Sequence, residues 1–218
     1  MEPIVFYFDF ASPYAYFAAD GIERIAAEHG RTVEWRAFLA WAAFKAHGIS
    51  PPMDVPARHA YFITDMIRSA AFHGVPYRQP KLPVSTHRAA RLFHVVAAED
   101  PGTARAFARR ALSVFFAEGE DIAAEAVVLR IAQECGIDAA SAREAIESQS
   151  GRALLAAAVD RAVADGVCGS PFFLVDGEPF FGADRLPQIA WRLSQTRPTS
   201  VPGAAPPGTL STGDSAGT

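Results

Sequence analysis

The chain has 218 residues, half of them hydrophobic, enough to bury a substantial core as one large domain or two small ones. Charged residues make up 20 % and the net charge is −4 with both signs interspersed, so no cationic stripe is available for a phosphate backbone and nucleic acid is not an expected partner. No apolar run approaches the ~20 residues that span a bilayer, no secretory pattern opens the sequence, and Cys135 and Cys168 form neither a CxxC nor a zinc set, so a cytoplasmic protein without membrane, metal or dithiol chemistry is expected.

Ile4-Val5-Phe6-Tyr7-Phe8 is a continuous aromatic and β-branched run, the composition of a central strand covered on both faces. Ser12 followed by Pro13 is a helix-start signal, serine as cap and proline at the first helical position. The helix runs to about His29, its apolar positions mostly three and four apart, and Gly30 supplies the left-handed residue that ends it. Thr32 to Phe38 alternates polar and apolar as a half-covered strand does, which makes a parallel strand, helix, strand unit the default.

From about Ala42 to Asp165 the texture becomes alanine- and arginine-rich without convincing strands. Segments near Ala57–His73, Thr86–Ala98, Ala104–Ala117, Ala124–Cys135, Ala139–Gln149 and Gly151–Asp165 read as amphipathic helices punctuated by proline and glycine. Strand character returns at Phe172-Phe173-Leu174-Val175, and Asp176-Gly177 turns it back through Glu178-Pro179-Phe180-Phe181 as a hairpin, with Pro179 favouring an edge. Asp184 is placed to cap a closing helix from Arg185 to about Leu193. Residues ~196–218 collapse to Pro, Gly, Ser, Thr and Ala, the composition of a disordered tail. The order βαβ, helices, ββα predicts an α/β, thioredoxin-like core (1–40 and 166–195) with a large all-helical insertion (41–165) between its halves.

Two loops can carry chemistry, because this topology ends both at one rim of the sheet. In Asp9-Phe10-Ala11-Ser12-Pro13-Tyr14, a hydroxyl sits among the unpaired N–H groups and positive dipole of a helix start, which favours an adjacent anion such as a thiolate. Serine is also a common cap, and the Ser-Pro pair alone requires nothing more. In Gly166 to Phe172, Pro171 opens a strand after Ser170 in a tight turn that a cis bond would fit; such a turn presents the backbone of Ser170 to an extended peptide-like ligand, and an ordinary loop proline fits the spacing equally. Lone Cys168 reads as a small buried hydrophobe or as a group able to reach a bound thiol. His87 and His94 share a helix without a carboxylate to complete a metal set, so no metal is predicted. Arg88, Arg91, Arg109 and Arg110 read as solvated helix faces or as the lining of an anionic substrate pocket.

Phe6-Tyr7-Phe8-Asp9-Phe10-Ala11-Ser12-Pro13-Tyr14 resembles the opening motif of the 2-hydroxychromene-2-carboxylate isomerases and kappa-class glutathione transferases of the thioredoxin-fold, disulfide-oxidoreductase-like superfamily. The likeness continues in Phe44-Lys45, Pro51-Pro52, Val55-Pro56-Ala57-Arg58, Gly166 to Phe173 and Phe181-Gly182-Ala183-Asp184-Arg185-Leu186, over about residues 3–194. The resemblance implies a homodimer with glutathione lying across the thioredoxin-like face. Ser12 would assist the sulfur, Ser170 before a cis Pro171 would pair with the cysteinyl backbone, Asp184 would hold the γ-glutamyl end, and Phe44, Arg58, Ala183 and Arg185 would complete the cofactor contacts. It implies a glutathione-dependent isomerase of a small aromatic or α,β-unsaturated carbonyl acid, with a kappa-type transferase or a non-catalytic binding module as alternatives. Four positions depart from the family pattern. Ile49 replaces an asparagine that contacts glutathione, Arg58 replaces a lysine, Ser170 stands where valine is typical, and Ala183 replaces a serine found in some members, which together thin the anchor.

Overall fold

The computed structural model describes residues 2–195; the expected disordered tail lies outside them. Strands β1 (Ile4–Phe8), β2 (Val33–Ala37), β3 (Phe172–Val175) and β4 (Glu178–Phe181) form one sheet in the order β2-β1-β3-β4. β1 is interior, parallel to β2 with Phe6 opposite Trp35, and antiparallel to β3 with Phe6 opposite Phe173. Helix α1 (Pro13–Glu28) joins β1 to β2.

Pleating sorts the side chains of β1 between two cores. Ile4, Phe6 and Phe8 enter a cluster with Trp35, Phe173, α1 and most of the helical run, whereas Tyr7 joins Phe38, Ala43, Ala162, Val167 and Phe172 on the opposite face. Phe6 stacks on Phe173 at 5.2 Å between ring centroids, and Phe8 meets Phe10 and Phe93 edge to face. Each such buried aromatic contributes roughly 2–3 kcal/mol from area alone, which is why the interior strand is rich in them.

Between β2 and β3 the described chain is helical: α2 (Ala40–His47), α3 (Pro56–His73), α4 (His87–Glu99), α5 (Pro101–Ser113), α6 (Glu125–Glu134), α7 (Ala139–Glu147) and α8 (Gln149–Ala164), with Val114–Glu118 continuing α5 as a π-turn. The mixed sheet with inserted helices is the thioredoxin-like arrangement predicted from element order. Phe93 and Phe107 of this run pack into the same cluster as the sheet. Two helices start earlier than the sequence suggests, because the caps lie further upstream: Asp100 accepts from the N–H groups of Gly102 and Thr103 with Pro101 at the first position, and Ser148 accepts from Gly151.

The hairpin forms as predicted, with Asp176 and Gly177 at φ 52° and 82° in the turn and β4 at the sheet edge. Arg31, at the entry to β2, reaches across to pair with Asp176 at 2.6 Å and holds that carboxyl below its ordinary pKa. The closing helix corrects one expectation. Residues Ala183–Arg185 form a 3₁₀ turn, α9 spans Leu186–Ser194, and no side chain caps it; the Asp184 carboxylate pairs with Arg185 at 3.0 Å instead.

Candidate active site

Ser12 caps α1 in extended backbone geometry, its Oγ accepting the Ala15 N–H at 3.2 Å. The same hydroxyl donates to the carbonyl of Ser170 at 2.8 Å, and the peptide bond from Ser170 to Pro171 is cis. Two loops 158 residues apart in the chain thus meet through one hydrogen bond. A second bond locks them: the Asp9 N–H donates to Ser170 Oγ at 2.9 Å.

The N–H groups at this corner are mostly consumed. Pro13 has none, and those of Ser12, Ala15 and Tyr16 go to Asp9 O, Ser12 Oγ and Ser12 O. The N–H of Tyr14 and that of Ser170 meet no acceptor among the described residues. Both therefore remain as donors at the positive end of α1, the chemistry that favours an anionic or peptide-like ligand.

Asp9 organises the corner from within the core, and the sequence reading gave it no role. It is 4 % exposed, and its carboxylate takes the N–H of Ala11 at 2.9 Å, the N–H of Ala40 at 2.7 Å and the Thr86 hydroxyl at 3.1 Å. Burial pushes its pKa above the ordinary carboxylate value, and the three donors act against that rise. Its side chain fixes the starts of α2 and α4 against the β1–α1 loop. The local signal in the sequence was an aspartate two residues before Ala11, a turn-forming arrangement; Ala40 and Thr86 are too distant in sequence to read.

Tyr14 carries a second contact that sequence spacing could not show. Its hydroxyl donates to Asp65 of α3 at 2.6 Å, and Asp65 also receives Tyr61 at 3.3 Å. Burial and then the Asp65 bond raise the pKa of Tyr14. Phe62 meets the Tyr14 ring edge to face at 6.1 Å, so α3 lays an aromatic wall beside the start of α1.

On the far side, the Gly182 N–H donates to Pro171 O at 3.0 Å, bringing Ala183, Asp184 and Arg185 alongside the Ser170 turn. A Cβ on Gly169 would lie 2.3 Å from the exposed Phe181 ring, which would have to shift, and Gly182, at φ 110°, holds a backbone conformation that favours glycine. Ala183 is buried and the Asp184 side chain is 70 % exposed. Of the residues singled out in the sequence, Ser12, Ser170, Pro171, Ala183, Asp184 and Arg185 thus form one connected edge. Phe44 is half-buried on α2, the helix whose first N–H binds Asp9. Arg58 is exposed on the first turn of α3 and pairs with no carboxylate among the described residues. Ile49 is exposed just past α2.

Both cysteine thiols are half-buried, and burial raises their pKa, the opposite of an activated thiol. Among the described residues no group of three or more His, Cys, Asp or Glu side chains is placed to hold a metal ion, and no helix is long and apolar enough to cross a membrane.

A family model described as DSBA-like thioredoxin domain matches residues 3–194. The chain is 30 % identical over 188 residues to the 2-hydroxychromene-2-carboxylate isomerase of Sphingobium xenophagum, covering 85 % of this chain and 94 % of that protein. It is 27 % identical over 207 residues to glutathione S-transferase kappa 2 of Caenorhabditis elegans, covering 88 % and 92 % respectively. A solved 2-hydroxychromene-2-carboxylate isomerase superposes with a TM-score of 0.80 at 22 % identity, over 87 % of this chain and 93 % of that one.

Proposed function

Because this chain belongs to the DsbA-like thioredoxin-domain family, in the group of 2-hydroxychromene-2-carboxylate isomerases and kappa-class glutathione transferases, we propose that it is a glutathione-dependent isomerase of a small aromatic or α,β-unsaturated carbonyl acid. The observation that carries the reading is the 2.8 Å bond from Ser12 Oγ to Ser170 O at the positive end of α1. There a donor suited to a sulfur anion and an acceptor suited to a peptide N–H satisfy each other, and rotation of one hydroxyl hydrogen releases both.

The residues present fit glutathione, a peptide-like thiol with charged ends. The free N–H of Ser170 can pair with its backbone, the Tyr14 N–H and Ser12 hydroxyl can stabilise its sulfur as thiolate, and exposed Asp184 and Arg58 can meet its ammonium and a carboxylate. Residues 12–15 contain no cysteine, so the reacting thiol belongs to the ligand. Bound glutathione would supply a nucleophile for reversible addition to an electron-poor double bond. This chain's part is to bind and orient the ligand, hold a hydrogen bond at the sulfur through Ser12, and keep the Ser12 backbone in place through Asp9, whose carbonyl accepts the Ser12 N–H and whose carboxylate accepts that of Ala11. The aromatic wall of Tyr14 and Phe62 suits a flat substrate.

Calorimetry with glutathione, together with an assay on 2-hydroxychromene-2-carboxylate that also follows glutathione, tests the proposal. The expected result is turnover that needs glutathione and leaves its concentration unchanged, reduced about 100-fold in Ser12→Ala. Consumption of one glutathione per turnover would instead make it a kappa-type transferase. Exposed Ile49, unable to hydrogen-bond where the family has asparagine, favours a second reading, a binding module; binding without turnover on either type of substrate would establish that one. The reading includes a cytoplasmic setting, where thiols stay reduced. It also includes a homodimer, supported by Tyr61 and Phe72, exposed three turns apart on one face of α3 and testable by light scattering.

A further inference from the structure

Four arginines of the helical run look alike in the sequence, and the structure divides them. Arg109 pairs with Asp20, and Arg110 pairs with Glu118 and Glu134. Arg88, Arg91 and a third residue, Arg152 of α8, pair with no carboxylate among the described residues, and all three line one cavity of about 530 Å³ together with His87, Glu125 and Glu147.

Arg88 and Arg91 are anchored but not neutralised, and Arg152 is exposed, its side chain without a hydrogen-bond partner among the described residues. Arg88 Nη1 donates to Ala123 O at 2.9 Å and Arg91 Nη1 to Ile146 O at 3.1 Å, which anchors each at one corner. The buried Nε of Arg91 meets no acceptor. Of the two carboxylates in the lining, Glu125 is held by Arg143 at 3.2 Å, and neither comes within ion-pair distance of the three arginines. His87 and Arg88 occupy the first turn of α4, and Arg152 the first turn of α8, where the helix dipole is positive and cations are the wrong sign. α4 has no acidic residue in that turn and no side-chain cap, since Thr86 gives its hydroxyl to Asp9. Burial, followed by the charges of Arg152 and Arg88, lowers the pKa of Arg91.

Three like charges and two helix ends of the same sign converge on this cavity, where a counter-anion would neutralise them. We propose that the cavity between the starts of α4 and α8 binds a small oxyanion with two or more negative charges, of the phosphate or polycarboxylate class, at a site separate from Ser12. Fork-shaped guanidinium donors suit both classes. This inference uses no part of the glutathione reading.

Titrating the full chain calorimetrically with inorganic phosphate and with citrate, against chloride at matched ionic strength, tests it. One binding site per chain is expected for at least one probe, and the preferred probe identifies the class. Arg152→Gln and Arg88→Gln should each weaken that binding at least about tenfold, and Arg109→Gln should leave it unchanged. In chloride, Arg152→Gln should melt no lower than the parent, because it removes an uncompensated charge and no hydrogen bond. Absence of binding by both probes, equal affinity in Arg152→Gln and Arg109→Gln, or a lower melting temperature for Arg152→Gln in chloride would overturn the proposal.

Discussion

α1 and α4 begin on either side of the same buried carboxylate, and they begin in opposite ways. At α1 the cap residue serves its own helix: Ser12 takes the Ala15 N–H and still has a proton to give to Ser170. At α4 the residue in the cap position turns away, Thr86 donating to Asp9 and leaving the first turn uncapped with His87 and Arg88 in it. The first start combines local stability with a hydroxyl able to face a ligand. The second gives up local stability to tie the helix to the sheet, and its charges remain unanswered within the protein. Propensity alone would rank both as ordinary helix N-termini; the difference lies in what Asp9 demands of each.

Asp9→Asn disturbs the β1–α1 loop and the starts of α2 and α4 at once and should have the largest effect. An asparagine offers one acceptor where the carboxylate serves three donors, and its amide group faces N–H groups, so a loss of about 3 kcal/mol is expected in denaturant unfolding. Thr86→Val separates the α4 start from the rest, keeping shape and removing one donor from a buried carboxylate; about 2 kcal/mol should be lost, with glutathione binding at Ser12 retained. A result in which Thr86→Val costs as much as Asp9→Asn would make the α4 tie the whole function of Asp9.

The smallest effect sharpens the α4 side through pH. His94 Nε2 lies 2.8 Å from Ala37 O, so α4 is tied to the end of β2 by His94 as well as to Asp9, just past β1, by Thr86. Burial depresses the pKa of His94 more than that bond raises it, and burial also depresses those of His73 and His87. A histidine whose folded pKa lies below its unfolded value adds stability that is present above the unfolded value and lost as pH falls through the folded one. Stability should therefore decline from pH 7 toward 5. In His94→Gln, which can still donate to Ala37, the decline should be shallower by about 0.5 kcal/mol per pH unit, a difference measurable by urea unfolding at the two pH values.

Much of the fold was legible because its signals are local. The β1 run, the Ser12-Pro13 helix start and the Asp176-Gly177 turn each announce their structure within a few residues. α2 was not legible: Leu39 in its cap position provides no side-chain bond, and its start is fixed by Asp9, 31 positions away. Asp184 misled for the converse reason, since a residue type suited to capping sits in a 3₁₀ turn beside Arg185, which takes its charge. In the candidate site, Ser12 and Pro171 could be found as turn chemistry, whereas Asp9, Thr86 and Asp65 matter through partners 31 to 77 residues distant. The same distinction separates the arginines: Arg109 finds Asp20 across 89 positions, and nothing near Arg91 in the sequence shows that it has no such partner.

In the proposed function the Ser12 hydroxyl, at the start of α1 with its backbone held by Asp9, stabilises a ligand's sulfur anion. Titration of the thiol of protein-bound glutathione by its ultraviolet absorbance, in the parent and in Ser12→Ala, tests this directly. A bound thiol pKa well below that of free glutathione, rising by about one unit or more when the hydroxyl is removed, is the predicted result. Glutathione that binds both proteins with the same thiol pKa would contradict it.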